Sequence, residues 1–179
     1  MRSGPVAEID VLITVARWLW TKKRVLPIQF SVARGQGIDT KLSRRRLEAA
    51  LDSLEIPKSL KKYRFYAGTG QDIEGVSRTE YWKIECKGLG IGKNSTHRNN
   101  FDRALSSAVS YYEDRVDTWP DHKPFIGLAL PNAPVFKSLL KSKVRQPLRS
   151  RLNLWIMLFD PTDNTIIPIE PSADYEVAE

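Results

Sequence analysis

Between Pro5 and Thr21 apolar residues recur at helical spacing. Ile9, Leu12, Ile13, Ala16, Leu19 and Trp20 share one face, and Pro5 suits a first turn. "VLPIQFSVA", residues 25–33, then reads as a strand with Pro27 near its start. A second helix is predicted over 41–54, with Leu42, Leu47, Ala50, Leu51 and Leu54 inward, the arginines outward, and Pro57 closing it. Three short strand-like segments follow, "YRFYA", "QDIEGV" and "EYWKIECKG", punctuated by Gly68, Gly70, Gly75, Gly88, Gly90 and Gly92. "NSTHRNNFDRALSSAVSYYED" predicts a helix carrying Phe101, Leu105, Ala108, Val109 and Tyr112. "PFIGLAL" and "LNLWIMLF" are continuous apolar runs of the kind that form buried strands. Between them "APVFKSLLKSKV" is a basic amphipathic helix, and "TIIPI" after the turn "DPTDN" is a last short strand. Buried strands alternating with helices predict an α/β fold, a mixed central sheet flanked by helices on both faces. No linker is long enough to divide the 179 residues, so one domain is expected.

The segment "EYWKIECKG" places two carboxylates and two lysines in an otherwise apolar strand. Alternation puts Tyr81, Lys83, Glu85 and Lys87 on one face and Trp82, Ile84 and Cys86 on the other. Acid-x-lysine triplets also occur at Asp39–Lys41 and Asp121–Lys123, so the triplet alone carries little. Only Glu85–Lys87 lies within a strand that has a strong apolar face. "GQDIEGVSRTEYWKIECKG" reads as a hairpin. With its turn at Ser77–Thr79, Ile73 faces Ile84 and Glu74 faces Lys83, both favourable cross-strand pairs. The same register sets Asp72 against Glu85, where like charges repel unless a cation lies between them. Oxygen ligands without His or Cys favour Mg2+ or Mn2+. A slipped register would separate the two acids.

These residues resemble the PD-(D/E)xK nuclease superfamily, in which an acid on one hairpin strand precedes an acid-x-lysine on the next. Asp72 matches the first acid, and Glu85 and Lys87 match the second part. "QDIEG" stands in place of a proline-aspartate dipeptide, and "IECKG" is a close match. The resemblance covers roughly residues 5–130. It implies a restriction-endonuclease-like core and metal-assisted hydrolysis of phosphodiester bonds in DNA. Asp72, Glu85 and the Cys86 backbone carbonyl would hold the metal, and Lys87 would orient the nucleophile or stabilise charge on the phosphorane. Some members add a glutamate from the first helix, which Glu8 would supply here, or Glu48 if the second helix is the equivalent one. Cleavage of both strands would require two sites and hence a homodimer. The alternative implied is a nucleic-acid-binding protein that keeps the fold without catalysis; a third is a scaffold or subunit surface within a larger complex.

Charge adds a partner. Lysine and arginine number 28 against 21 acids, for a net charge of +7, which favours a polyanion such as DNA. The excess is segregated. Lys137, Lys141, Lys143, Arg145, Arg149 and Arg151 lie in a stretch with no acid, while the six acids from Asp160 onward have no basic neighbour in sequence. Expected nucleic-acid contacts are Lys141, Lys143, Arg145 and Arg149, with Arg44, Arg45 and Arg46 on the second helix. A solvated helix face is an equal reading for the arginine run. "GLGIGKN" lacks the four-residue gap and the Ser/Thr of a phosphate loop. Beside the hairpin its glycines and Lys93 would allow DNA to approach the backbone. His97 and Arg98 follow at a helix start, where amides favour phosphate and where solvated polar residues are equally common. The single Cys86 excludes an internal disulfide and is read as core, and the two histidines argue against a His-based metal site. No apolar run is long enough to span a membrane, and Glu8 and Asp10 precede the first one, the wrong order for a signal peptide. A cytoplasmic location is expected.

Overall fold

Among the described residues seven strands form one sheet, and the hydrophobic runs account for the mixture of directions. The structure, a computed structural model, describes residues 4–32, 39–66 and 70–174; Ala33, Ala67, Gly68 and the last acids of the tail lie outside them. β1 (Leu26–Ser31), β2 (Arg64–Tyr66), β3 (Ile73–Val76), β4 (Glu80–Cys86), β5 (Lys123–Pro131), β6 (Leu154–Asp160) and β7 (Thr165–Ile169) match the expected segments. They lie in the order β2-β1-β3-β4-β5-β6-β7; β4, β5 and β6 run parallel, with antiparallel partners β3 on one side and β7 on the other. The continuous apolar sequences of β5 and β6 are buried on both faces, as central parallel strands must be.

The helices are α1 (Glu8–Trp18), α2 (Thr40–Asp52), α3 (Asn94–Ser110), α4 (Pro134–Lys143) and α5 (Gln146–Leu152). α1 passes into a π-helical turn over Leu19–Lys23. It covers the face of the sheet that carries Trp82. Trp18, Trp82 and Trp155 meet there with ring centroids 5.4–6.3 Å apart, and Phe125 stacks on Trp82 at 4.9 Å. α3 covers the opposite face of β4 and β5, and α4 packs on α3. Tyr81 and Glu85 are thereby buried, so the polar side of β4 is a covered layer rather than a solvated one. Lys83 on that side pairs with Glu113 just past α3, and the Tyr81 hydroxyl donates to Glu74.

Two details depart from the sequence pattern. Leu42 is 55% exposed, because α2 packs through Leu47, Ala50 and Leu51 in its later turns. The basic stretch after α4 also folds as a helix, α5. Its side chains bind the chain that follows β7: Arg149 donates to Glu170 O at 2.8 Å and Ala173 O at 2.5 Å, and Ser150 Oγ donates to Pro171 O at 3.1 Å.

One contact places α1 relative to the hairpin. Val6 and Leu89 exchange backbone hydrogen bonds, Val6 N–H to Leu89 O at 2.7 Å and Leu89 N–H to Val6 O at 2.8 Å. Between them Gly88 has no room for a side chain. A Cβ there would lie 2.5 Å from Val6 O and 2.7 Å from Glu8 N. Gly90 has nothing within 4 Å of such an atom. Gly88→Ala is therefore expected to destabilise the fold by about 1–3 kcal/mol, as overpacking against fixed backbone does, while Gly90→Ala changes little. Urea denaturation of the two variants measures the difference.

Candidate functional site

The β3–β4 ladder has the register expected from sequence, with Ile73 opposite Ile84, Glu74 opposite Lys83, Gly75 opposite Trp82 and Val76 opposite Tyr81. The Ser77 side chain closes the turn by accepting the Glu80 N–H at 3.0 Å. Regular pairing ends at Ile73. Asp72 gives its N–H to Ile84 O at 3.0 Å on β4, while its carbonyl accepts the Ser31 N–H at 2.9 Å on β1. In a regular strand one residue's N–H and C=O point to the same neighbour, so the chain is irregular at Asp72. The expected direct pairing of Asp72 with Glu85 is thus modified. The Asp72 carboxylate turns across the end of the hairpin, and its Oδ2 accepts the Cys86 N–H at 2.7 Å. Lys87 N–H points the other way, to Ala129 O on β5. Alternation then directs the Cys86 carbonyl to the Asp72 side. The Cys86 side chain is fully buried in the core, as expected.

Asp72 and Glu85 are each 9% exposed. Burial, and then the neighbouring Glu85 carboxylate, hold Asp72 well above the usual carboxylate range, against the relief given by the Cys86 N–H; Glu8 adds to the push. Glu85 is raised as well, first by burial, although the Tyr111 hydroxyl and Lys87 partly offset it. Lys87 makes an ion pair with Glu8 at 2.9 Å. Burial alone would lower the Lys87 ammonium, but Glu8, Asp72 and Glu85 outweigh that and hold it above the ordinary lysine value. Glu8 opens α1, where the helix start favours a carboxylate. The Val6–Leu89 contact brings it across to the end of β4. Glu48, the other helix glutamate considered, pairs with Arg44 on the exposed face of α2 instead.

Tyr111 is the residue the sequence did not single out. It lies just past α3 and donates its hydroxyl to Glu85 Oε2 at 2.7 Å. Burial, and then Glu85, raise its phenol above the ordinary value, so it serves as a neutral donor. The only sequence signal was an aromatic pair at the end of a helix, and nothing local tells which of Tyr111 and Tyr112 turns inward. Among the described residues no three His, Cys, Asp or Glu side chains form a ready-made metal cage. Two buried carboxylates beside a main-chain carbonyl are hard-oxygen donors, and their proton affinity is raised first by burial, with the neighbouring carboxylates adding to it. Such donors are of the kind that would suit a magnesium-type ion.

The expected nucleic-acid contacts divide. Arg149 is 0% exposed and holds the chain after β7, so it is a structural residue and not a surface contact. Lys143 pairs with Asp102 of α3, an acid that sequence distance had hidden. Arg44 is paired with Glu48 and lies 4.4 Å over the Phe65 ring, and Arg46 pairs with Asp10 at 2.5 Å. Arg45, Lys93, Arg98, Lys141 and Arg145 are exposed. If DNA uses the α4–α5 face, neutralising Lys141 and Arg145 together is expected to lower the slope of log affinity against log salt by roughly 2. Arg149→Ala is expected to cost stability instead, about 2–4 kcal/mol for a buried hydrogen-bonded cation. Filter binding across a salt series, with thermal melts of each variant, separates the two effects.

No protein-family model, curated protein or solved structure matches this chain. The fold class is mixed α/β, a seven-stranded sheet flanked by helices, with a carboxylate–lysine cluster at the end of its central hairpin. No helix among the described residues is long and apolar enough to cross a membrane.

Proposed function

We propose that this protein is a metal-dependent deoxyribonuclease, an endonuclease hydrolysing phosphodiester bonds in DNA restriction, repair or recombination. One observation carries the proposal. Asp72, Glu85 and Glu8 come from three separate elements to one lysine at the end of buried strands, and their charge exceeds what Lys87 balances. A merely structural ion pair needs one acid for one base. The surplus suits a site built for a cation and a phosphate.

Asp72, Glu85 and the Cys86 carbonyl would hold Mg2+ or Mn2+, with Glu8 as a further oxygen donor. Such an ion, when bound, lowers the pKa of a coordinated water and offsets charge on the phosphate. The protein's own share is positional. Tyr111 fixes the Glu85 carboxylate by donating to Oε2, leaving Oε1 clear of that bond. The Cys86 N–H fixes Asp72 through Oδ2. Lys87, charged at neutral pH, would leave Glu8 to donate to a non-bridging phosphate oxygen or to orient the attacking water. Burial keeps bulk water from screening these charges.

A panel of labelled duplex, flap, junction and single-stranded DNA, with magnesium or with calcium, tests the proposal. Magnesium-dependent cleavage of at least one substrate is the expected result, and a homodimer is expected if both strands of a duplex are cut. No cleavage of any substrate in magnesium or manganese would overturn it. One observation favours a second reading, a nucleic-acid-binding protein without catalysis. Asp72, Glu85 and Lys87 each already have a protein partner. Salt-sensitive DNA binding without cleavage would establish that reading.

A further inference from the structure

Beyond the ends of β4 and β5 lies a cleft of about 980 Å³, separate from the carboxylate cluster and lined by the glycine-rich loop after β4 and by the first turns of α3 and α4. Among the described residues no acid lines it, whereas Lys93 and Arg98 do. α3 and α4 both begin there without a side-chain cap; Pro134 opens α4 and has no N–H, so the partly positive amides are chiefly those of Asn94 and Ser95 at the start of α3, with Val135 added from α4. His97 is the independent sign that the space takes a ligand. It is 8% exposed, lines the cleft, and its ring has no hydrogen-bond partner among the described residues. Among the described residues its ring meets only the Phe136 ring, edge-on at 6.5 Å. The ring is buried but its nitrogens are not sealed off, so the pairing they lack within the protein is open to a ligand in the cleft.

We propose that this cleft is a phosphate-binding subsite. His97 donates from a ring nitrogen, Lys93 and Arg98 supply the charge, and the first amides of α3 complete the shell with Val135 of α4. The glycines at 90 and 92 keep the rim low: a Cβ at Gly90 would meet nothing, so the loop is open to a ligand as bulky as a nucleotide. Ile91, 93% exposed between them, offers an apolar edge against which a base can rest. That the phosphate belongs to a nucleic-acid strand, as an end phosphate or a backbone phosphodiester, rests on the function proposed above; the phosphate site itself does not.

The test uses the full chain and inorganic phosphate. With only two histidines, His97 and His122, nitrogen NMR of the imidazoles resolves each ring. Phosphate is expected to shift His97 saturably and leave His122 unmoved. Lys93→Ala and Arg98→Ala, both exposed positions that will fold, are each expected to weaken phosphate binding about tenfold, the loss of one charge-assisted hydrogen bond. His97→Gln should weaken it similarly. An unmoved His97 ring, or wild-type affinity in the Lys93→Ala, Arg98→Ala double variant, would overturn the subsite. Competition by short oligonucleotides in chelator identifies the source. Displacement by a 5′-phosphorylated strand alone points to an end phosphate, displacement by a 5′-hydroxyl strand as well points to the backbone, and displacement by neither overturns the nucleic-acid assignment. Phosphate binding without metal-dependent cleavage would remove the nuclease function and leave the cleft, whereas cleavage by a protein whose His97 ignores phosphate would remove the cleft alone.

Discussion

Lys87→Ala is expected to lower magnesium-dependent cleavage by at least about 100-fold, the scale of losing one preorganised charge at a reacting phosphate. The fold should survive, because Lys87 is only half-buried just past the end of β4 and its removal opens no core cavity. The ion pair with Glu8 sharpens the expectation. Without the lysine, Glu8 faces Asp72 and Glu85 with no compensating cation, so the variant should also lose a little stability at neutral pH and recover it in mild acid. Single-turnover cleavage in magnesium, DNA binding in calcium and melting curves at two pH values read these effects separately. Wild-type cleavage would end the proposed role of Lys87. A large loss of binding in calcium would instead make it a docking residue.

Asp72→Asn is expected to raise stability in the absence of metal. Asparagine keeps an oxygen to accept the Cys86 N–H, as Asp72 Oδ2 does at 2.7 Å, but it carries no charge to repel Glu85. The pH dependence follows from the direction of the shift. Asp72 binds its proton more tightly folded than unfolded. Between its ordinary and its raised pKa the native state therefore holds more protons, and stability falls as pH rises. Below that window the wild-type side chain is protonated in both states and the two proteins should melt alike. Above it the Asn variant should melt higher, by roughly 2–4 °C for each kcal/mol of relieved repulsion in a chain of this size. Manganese should stabilise the wild type and give the variant much less, since a ligand stabilises only the state that binds it. Equal gains from manganese would show that Asp72 is not a ligand. Asp72→Ala, which loses the Cys86 bond as well, should be less stable than Asp72→Asn at every pH.

Local pattern reached far into this protein where one interaction range decided the outcome. Strand and helix positions were legible because burial imposes periods of two or 3.6 on neighbouring residues. The β3–β4 register was legible because Ile73–Ile84 and Glu74–Lys83 pair favourably across a short turn. That register in turn marked Asp72, Glu85 and Lys87 as candidates. Tertiary structure decided what sequence distance concealed. Whether Glu8 or Glu48 joins the cluster depends on the Val6–Leu89 bridge and on the missing side chain at Gly88, a contact spanning most of the first half of the chain. The irregularity at Asp72 arises because that residue bonds to two neighbouring strands at once, β1 and β4, and a hairpin alone involves only one. Tyr111 turns toward Glu85 only because α3 lies across β4. The basic stretch 137–151 carries no acid in sequence, yet folding sets Asp102 against Lys143 and withdraws Arg149 to bind backbone carbonyls. Net charge is a sum over composition and is fixed before folding. Which of those charges remain available to a partner depends on Coulomb and hydrogen-bond energies that act through space, over a few ångströms, between residues the chain itself keeps far apart.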